Sequence, residues 1–85
     1  ASLERLAVSD SERAVRIAAV EALGSTGSDA LPALEAVFRG NDWAVRRAAG
    51  RAITTVGGRE AAESYARLAF SAPPDAQLLA VTLLL

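Results

Sequence analysis

The 85-residue chain has no cysteine, no methionine and no histidine. Its nine basic residues are all arginine, so lysine is missing too. Each absence removes a kind of chemistry. Without cysteine there is no disulfide framework and no thiolate metal site. Without histidine no hydroxyl can be paired with an imidazole base, and without cysteine or lysine the usual strong nucleophiles are gone. Carboxylates are the remaining general acids and bases. The ten of them are spread over capping and surface positions and form no site. A phosphate cradle is also missing: Val56-Gly57-Gly58-Arg59 reads as a turn between helices, with no lysine behind its glycines. The net charge of −1 gives no general attraction to nucleic acid or to an anionic membrane. The longest apolar run, at the C-terminus, is far too short to span a bilayer. Aromatics are scarce at 5% although 52% of the residues are apolar. Much of that apolar content is alanine, which suits closely approaching helices rather than a thick core. A chain this short makes at most one small domain.

What the chain does have is a repeat. Glu12-Arg13-Ala14-Val15-Arg16-Ile17-Ala18-Ala19-Val20-Glu21-Ala22-Leu23-Gly24 returns thirty residues later as Asp42-Trp43-Ala44-Val45-Arg46-Arg47-Ala48-Ala49-Gly50-Arg51-Ala52-Ile53. The shared frame is acid, x, Ala, Val, Arg, x, Ala, Ala, x, x, Ala, Leu/Ile. A second phase links Leu3, Leu34 and Tyr65 in one column and Leu6, Val37 and Leu68 in another, each 31 residues after the last. Helical spacing inside a fixed period of this length is the mark of a stacked repeat architecture. The pattern resembles the HEAT-like repeat, in the short form seen in phycobilisome lyase-type proteins. The resemblance covers nearly the whole chain and implies an all-α fold, a right-handed α-α superhelix (solenoid) of antiparallel helix pairs.

In chain order, residues 2–8 are expected to be the second helix of one repeat. Ser9-Asp10-Ser11 follows as a turn with capping residues. A first-type helix then runs from about 11 to 24, with Ala14, Val15, Ala18, Ala19, Ala22 and Leu23 as its buried arc. Gly24 and Gly27 bracket its exit, and Ser28 or Asp29 caps the next helix, with Pro32 in the first turn. That helix buries Leu31, Leu34, Val37 and Phe38. The second copy spans about 42 to 56. The helix after it, about 59–71, buries Ala62, Tyr65, Leu68 and Ala69. Ala72-Pro73-Pro74-Asp75 breaks the pattern, and Asp75 matches Asp42 and Glu12. The third copy then stops mid-helix, with Leu79 in the arginine column. The expected divisions are a partial repeat 1–9, repeats 10–40 and 41–72, and a partial repeat 73–85. A chain that begins and stops mid-repeat is expected to be a piece of a longer array.

In the family this resembles, the first-helix arginine and the acid before it tie neighbouring repeats together. The implied ladder is Glu12, Arg16, Asp42 and Arg46, and both pairs also have the favourable i,i+4 order. Other HEAT-like proteins do chemistry. The alkylpurine DNA glycosylases use an Asp and aromatics in a basic cleft, but Asp42 and Trp43 are adjacent and diverge by about 100° on a helix. The HEAT-like hydroxylases hold iron with His-Glu pairs, which a chain without histidine cannot supply. Arg46, Arg47 and Arg51 make a local basic spot. However, Glu4, Glu35 and Glu63 stand beside Arg5, Arg39 and Arg67, so the inner surface is expected to be charge-balanced.

The expected function is therefore a non-catalytic protein-interaction or scaffold module, cytoplasmic, needing no cofactor and no metal. The second reading is a domain of a phycobilisome lyase-like cofactor-attaching enzyme, and the third a nucleic-acid binder. The candidate docking residues are apolar positions in the outward arc of the first-type helix. Those are Ile17 and Val20 in the first copy and Leu79, Leu83 and Leu84 in the third, where the second copy has Arg47 and Gly50. Self-association through the C-terminal helix is the expected consequence.

Overall fold

The computed structural model describes residues 3–9 and 11–84, without the side chains of Glu4, Val8, Ser9 and Leu84. Six α-helices follow one another: α1 (Leu3–Ser9), α2 (Arg13–Gly24), α3 (Leu31–Phe38), α4 (Trp43–Val56), α5 (Gly58–Ser71) and α6 (Pro74–Leu84). A 3-10 turn at Ser28–Ala30 leads into α3. No strand occurs among the described residues. The helices form two rows. In one row α2 packs on α4 and α4 on α6; in the other α1 packs on α3 and α3 on α5. Within each successive pair, α1 with α2, α3 with α4 and α5 with α6, the second helix folds back on the first. The result is an all-α helical repeat fold, as the periodicity requires.

Local chemistry sets the boundaries. Asp42 is the N-cap of α4, accepting from the backbone N–H of Ala44 at 3.1 Å and of Val45 at 3.5 Å. Those groups have no partner inside the helix, so the cap fixes where α4 starts. Gly57 closes α4 at φ 74°, a conformation that costs glycine little. The start of α3 differs from expectation. Neither Ser28 nor Asp29 caps it by side chain; its N-cap is Ala30, with Pro32 in the first turn. Glu12, rather than a residue of the 9–11 turn, is the N-cap of α2.

Between the rows lies one continuous core in which Val20, Leu34, Phe38, Ala49, Ile53, Leu68, Ala76 and Ala80 have no exposed surface. The buried arc of α2 differs from the one drawn on the helical wheel. Ala19 and Leu23 are buried as expected, whereas Ala14 and Ala18 are exposed and Val15 and Ala22 half-buried. In α4 the corresponding Ala48, Ala49 and Ala52 are all buried, because α4 has a neighbour on both sides. In α5, Ala62 is exposed while Ala61 and Ser64 are buried. Gly24 is helical; its missing side chain lets α2 and α4 touch, since a Cβ there would lie 2.9 Å from that of Ala52.

Candidate functional site

The polar side chains form two networks between successive helices. On the first row, Arg16 of α2 donates to the Asp42 carboxylate at 2.9 Å, and Arg13 donates to the same oxygen at 2.8 Å. One step on, Arg46 of α4 donates to Asp75 of α6 at 2.9 Å. Arg46 is 3% exposed and spends the rest of its guanidinium on backbone, donating to the carbonyl of Phe38 at 3.0 Å and to that of Gly40. Phe38 ends α3, so this arginine satisfies carbonyls that the helix leaves open. The contacts of Asp42 and Arg46 therefore run across helices. Asp42 serves α2 and its own helix start, and Arg46 is held by Asp75, so each arginine reaches the acid of the next first-type helix and not the acid four residues before it. The Arg13 hydrogen bond is the strongest influence on Asp42, and with the backbone and Arg16 bonds it holds that carboxyl below the usual range despite some desolvation. Asp75 is lowered in the same way, chiefly by its hydrogen bond from Arg46.

The second network was not legible as a network in the sequence. Glu35 of α3, expected on the solvated inner surface, is buried. It accepts from Ser64 Oγ at 2.7 Å and from Arg67 at 2.7 and 3.2 Å, both on α5. Burial alone would push the Glu35 carboxyl up; the bonds from Arg67 and Ser64 outweigh it, and the carboxyl is lowered. Arg39 extends the network, with its guanidinium 3.9 Å from Glu35 and donating to Ser71 Oγ at 2.9 Å. A third contact pins α4 to α5: Tyr65 Oη donates to the carbonyl of Gly50 at 2.8 Å and meets the Thr54 hydroxyl. Desolvation raises the Tyr65 phenol above its ordinary value. Among the described residues no buried polar side-chain atom lacks a partner, and no group of three acidic residues could hold a metal.

The candidate docking residues turn out differently placed. Val20 is fully buried and cannot meet a partner; Ile17 is half-buried against the core. Leu79 and Leu83 also pack inward, and the side chain of Leu84 lies outside the described residues. Gly50, expected to suit water, is buried, with a Cβ there falling 3.0 Å from Leu83 Cδ1. The cause is register. Matching Asp75 to Asp42 put Leu79 in the arginine column, but α6 starts at Pro74, 31 residues after the start of α4 at Trp43. In that register Ala80 matches Ala49 and Ala76 matches Val45, all four buried, while Leu78 matches Arg47, both exposed. Gln77 then stands in the arginine column.

Among the described residues the large apolar side chains most open to solvent are Phe70 at 89%, Leu78 at 71%, Trp43 at 56% and Val81 at 43% exposed. Three of them lie at the end built by α5 and α6. Phe70 is 31 residues after Arg39, and Ala66 is 31 after Glu35. On α6, Gln77 and Val81 stand where α4 has Arg46 and Gly50. Every ladder position on this end has thus become apolar or neutral. The signal was present in the sequence: extending the 31-residue period into α6 finds these residues.

Two rows of helices, joined step by step through residues recurring at a fixed period, are what a family model for HEAT repeats describes, and that model matches residues 1–84. The chain belongs to the HEAT repeat family. HEAT repeats generally mediate protein interaction or scaffolding and are typically non-catalytic. No curated protein and no solved structure matches the chain significantly. No helix among the described residues is long and apolar enough to cross a membrane.

Proposed function

We propose that this HEAT repeat chain is a non-catalytic protein-interaction module of the scaffold kind, which binds through the end built by α5 and α6. One observation carries the reading: Phe70 and Val81 are exposed at an end where the equivalent interior residues, Arg39 and Gly50, meet the next helix pair. Exposed apolar clusters of this kind mark contact surfaces. An interior face fixes its neighbour through Arg46, Glu35 and Arg39. This end has Gln77, Ala66 and Phe70 instead, so its occupant needs apolar surface and no matching ladder. For the chain alone in solution that occupant is a second copy, since two such ends carry no opposed like charges at these positions. The arginines support protein over nucleic acid: Arg13, Arg16, Arg39, Arg46 and Arg67 are each engaged in an ion pair, which leaves no extended unopposed basic groove.

The test is sedimentation of the parent chain beside a Phe70→Glu, Val81→Glu double variant at about 100 µM, a concentration suited to weak contacts. Both side chains point to solvent, so the variant should fold. The parent is expected to self-associate and the variant to remain monomeric. A monomeric parent, or a variant that associates equally, overturns the assignment of this end.

A further inference from the structure

We propose that the outward face at the start of α4, where Trp43 lies between Arg13 and Arg47, docks an acidic segment of a protein partner. This surface shares no residue with the α5–α6 end, so either assignment can fail alone. Trp43 contributes nothing to the core. Asp42 makes the cap through its own carboxylate, so the helix start does not need an indole beside it. Leaving a tryptophan more than half exposed keeps a large apolar surface in water, and such residues concentrate binding energy when a partner covers them.

The groups around the ring select the partner. The Arg47 guanidinium carbon lies 5.8 Å from the ring centroid, close enough for a cation–π contact. No carboxylate of the described residues is within ion-pair distance of Arg47. Arg13 is also outward, its side chain 64% exposed while its Nε holds Asp42. The Asp42 charge is answered twice, by Arg13 and Arg16, so it does not cancel Arg47. Between Arg13 and Trp43 lies a hollow of about 480 Å³, floored by Asn41, Asp42 and Ala44. The face thus offers an apolar plate for a proline or aliphatic side chain, flanked by two guanidiniums for carboxylates. A nucleic-acid backbone is a poorer fit. A phosphate chain needs a continuous run of cations, and beside this face Arg16 is already taken up by Asp42.

Trp43 is the chain's one tryptophan, so its emission reports on this face directly. The 85-residue chain is titrated with a capped Glu-Pro-Leu-Glu-Pro-Leu peptide, with its Gln-for-Glu counterpart, and with single-stranded oligothymidylate. The acidic peptide is expected to shift Trp43 emission saturably, and the Gln peptide to leave it unchanged. Arg47→Gln should weaken binding about fivefold, as expected for an exposed ion pair. Arg59→Gln, an exposed arginine on α5, removes the same charge elsewhere and should bind like the parent. No saturable shift up to about 5 mM peptide, equal shifts from the Glu and Gln peptides, or equal weakening by the two substitutions each overturn the proposal. Tighter binding of oligothymidylate than of the acidic peptide at about 0.15 M salt overturns it in favour of nucleic acid.

Discussion

Two neighbouring arginines show how position decides what a side chain is worth. Arg46 is enclosed and bonded to two carbonyls and a carboxylate, while Arg47 is in water. Arg46→Ala strands the ends of α3 and should cost about 3 kcal/mol. Arg47→Ala should stay within about 0.5 kcal/mol. Urea denaturation midpoints of the two variants check the contrast. The carboxylates give a second prediction, with a definite sign. Glu35, Asp42 and Asp75 all titrate below their ordinary values of 4.5, 3.8 and 3.8 in the folded chain. The unfolded chain therefore binds protons first as acid is added. Stability from these groups is complete above the ordinary values and is lost as pH falls through the folded ones. Urea midpoints should hold from pH 7 to about 5 and fall steeply towards pH 3. Glu35→Gln should flatten that fall, and an unchanged slope would remove Glu35 from the account.

At the scale of the helix, small residues set how closely neighbours approach. Gly24→Ala gains helix propensity, about 1 kcal/mol, yet its new methyl meets Ala52 and the overpacking costs about 1–3 kcal/mol. The net change should be destabilising. Ala48→Leu should lose a similar amount, because Ala48 is buried in the helix that packs on α2. Ala18→Leu, at the matching but exposed position of α2, should leave the midpoint nearly unchanged. This pair also shows how much could be read from the sequence. The period revealed the helices and their order, since helical spacing of Ala, Leu and Val is a strong signal over two copies. It does not say that α2 has a neighbour on one side only of its row, which is why the wheel places Ala18 inward and Val20 outward while the fold does the reverse. The Arg16 and Arg46 columns were legible because they recur. Glu35 with Ser64 and Arg67 was not, because that contact occurs once and its partners fall in different columns. Asp75 resembles a cap in the sequence, but Pro74 opens α6, which moves the register of the third copy by two residues.

The whole molecule is a slab of 32 × 25 × 15 Å, thin because only two rows of helices share its core. Its stiffness across the rows therefore depends on the few polar contacts that bind one step to the next. Among them, the bonds from Arg46 to Phe38 and Gly40 cross the connection between α3 and α4, and the same guanidinium holds α6. That connection consequently has a fixed length. One residue added between Gly40 and Asn41 would carry the carbonyl away from its donor and unseat three helices at once. The link before α3 is different: Gly27 has open space around it, and extra residues there should be accommodated. Inserting a single serine at each place and comparing melting curves would separate the two. Length variation accumulated over evolution should then be confined to one side of the array, leaving the other as an invariant ruler that sets the spacing at which partners are met.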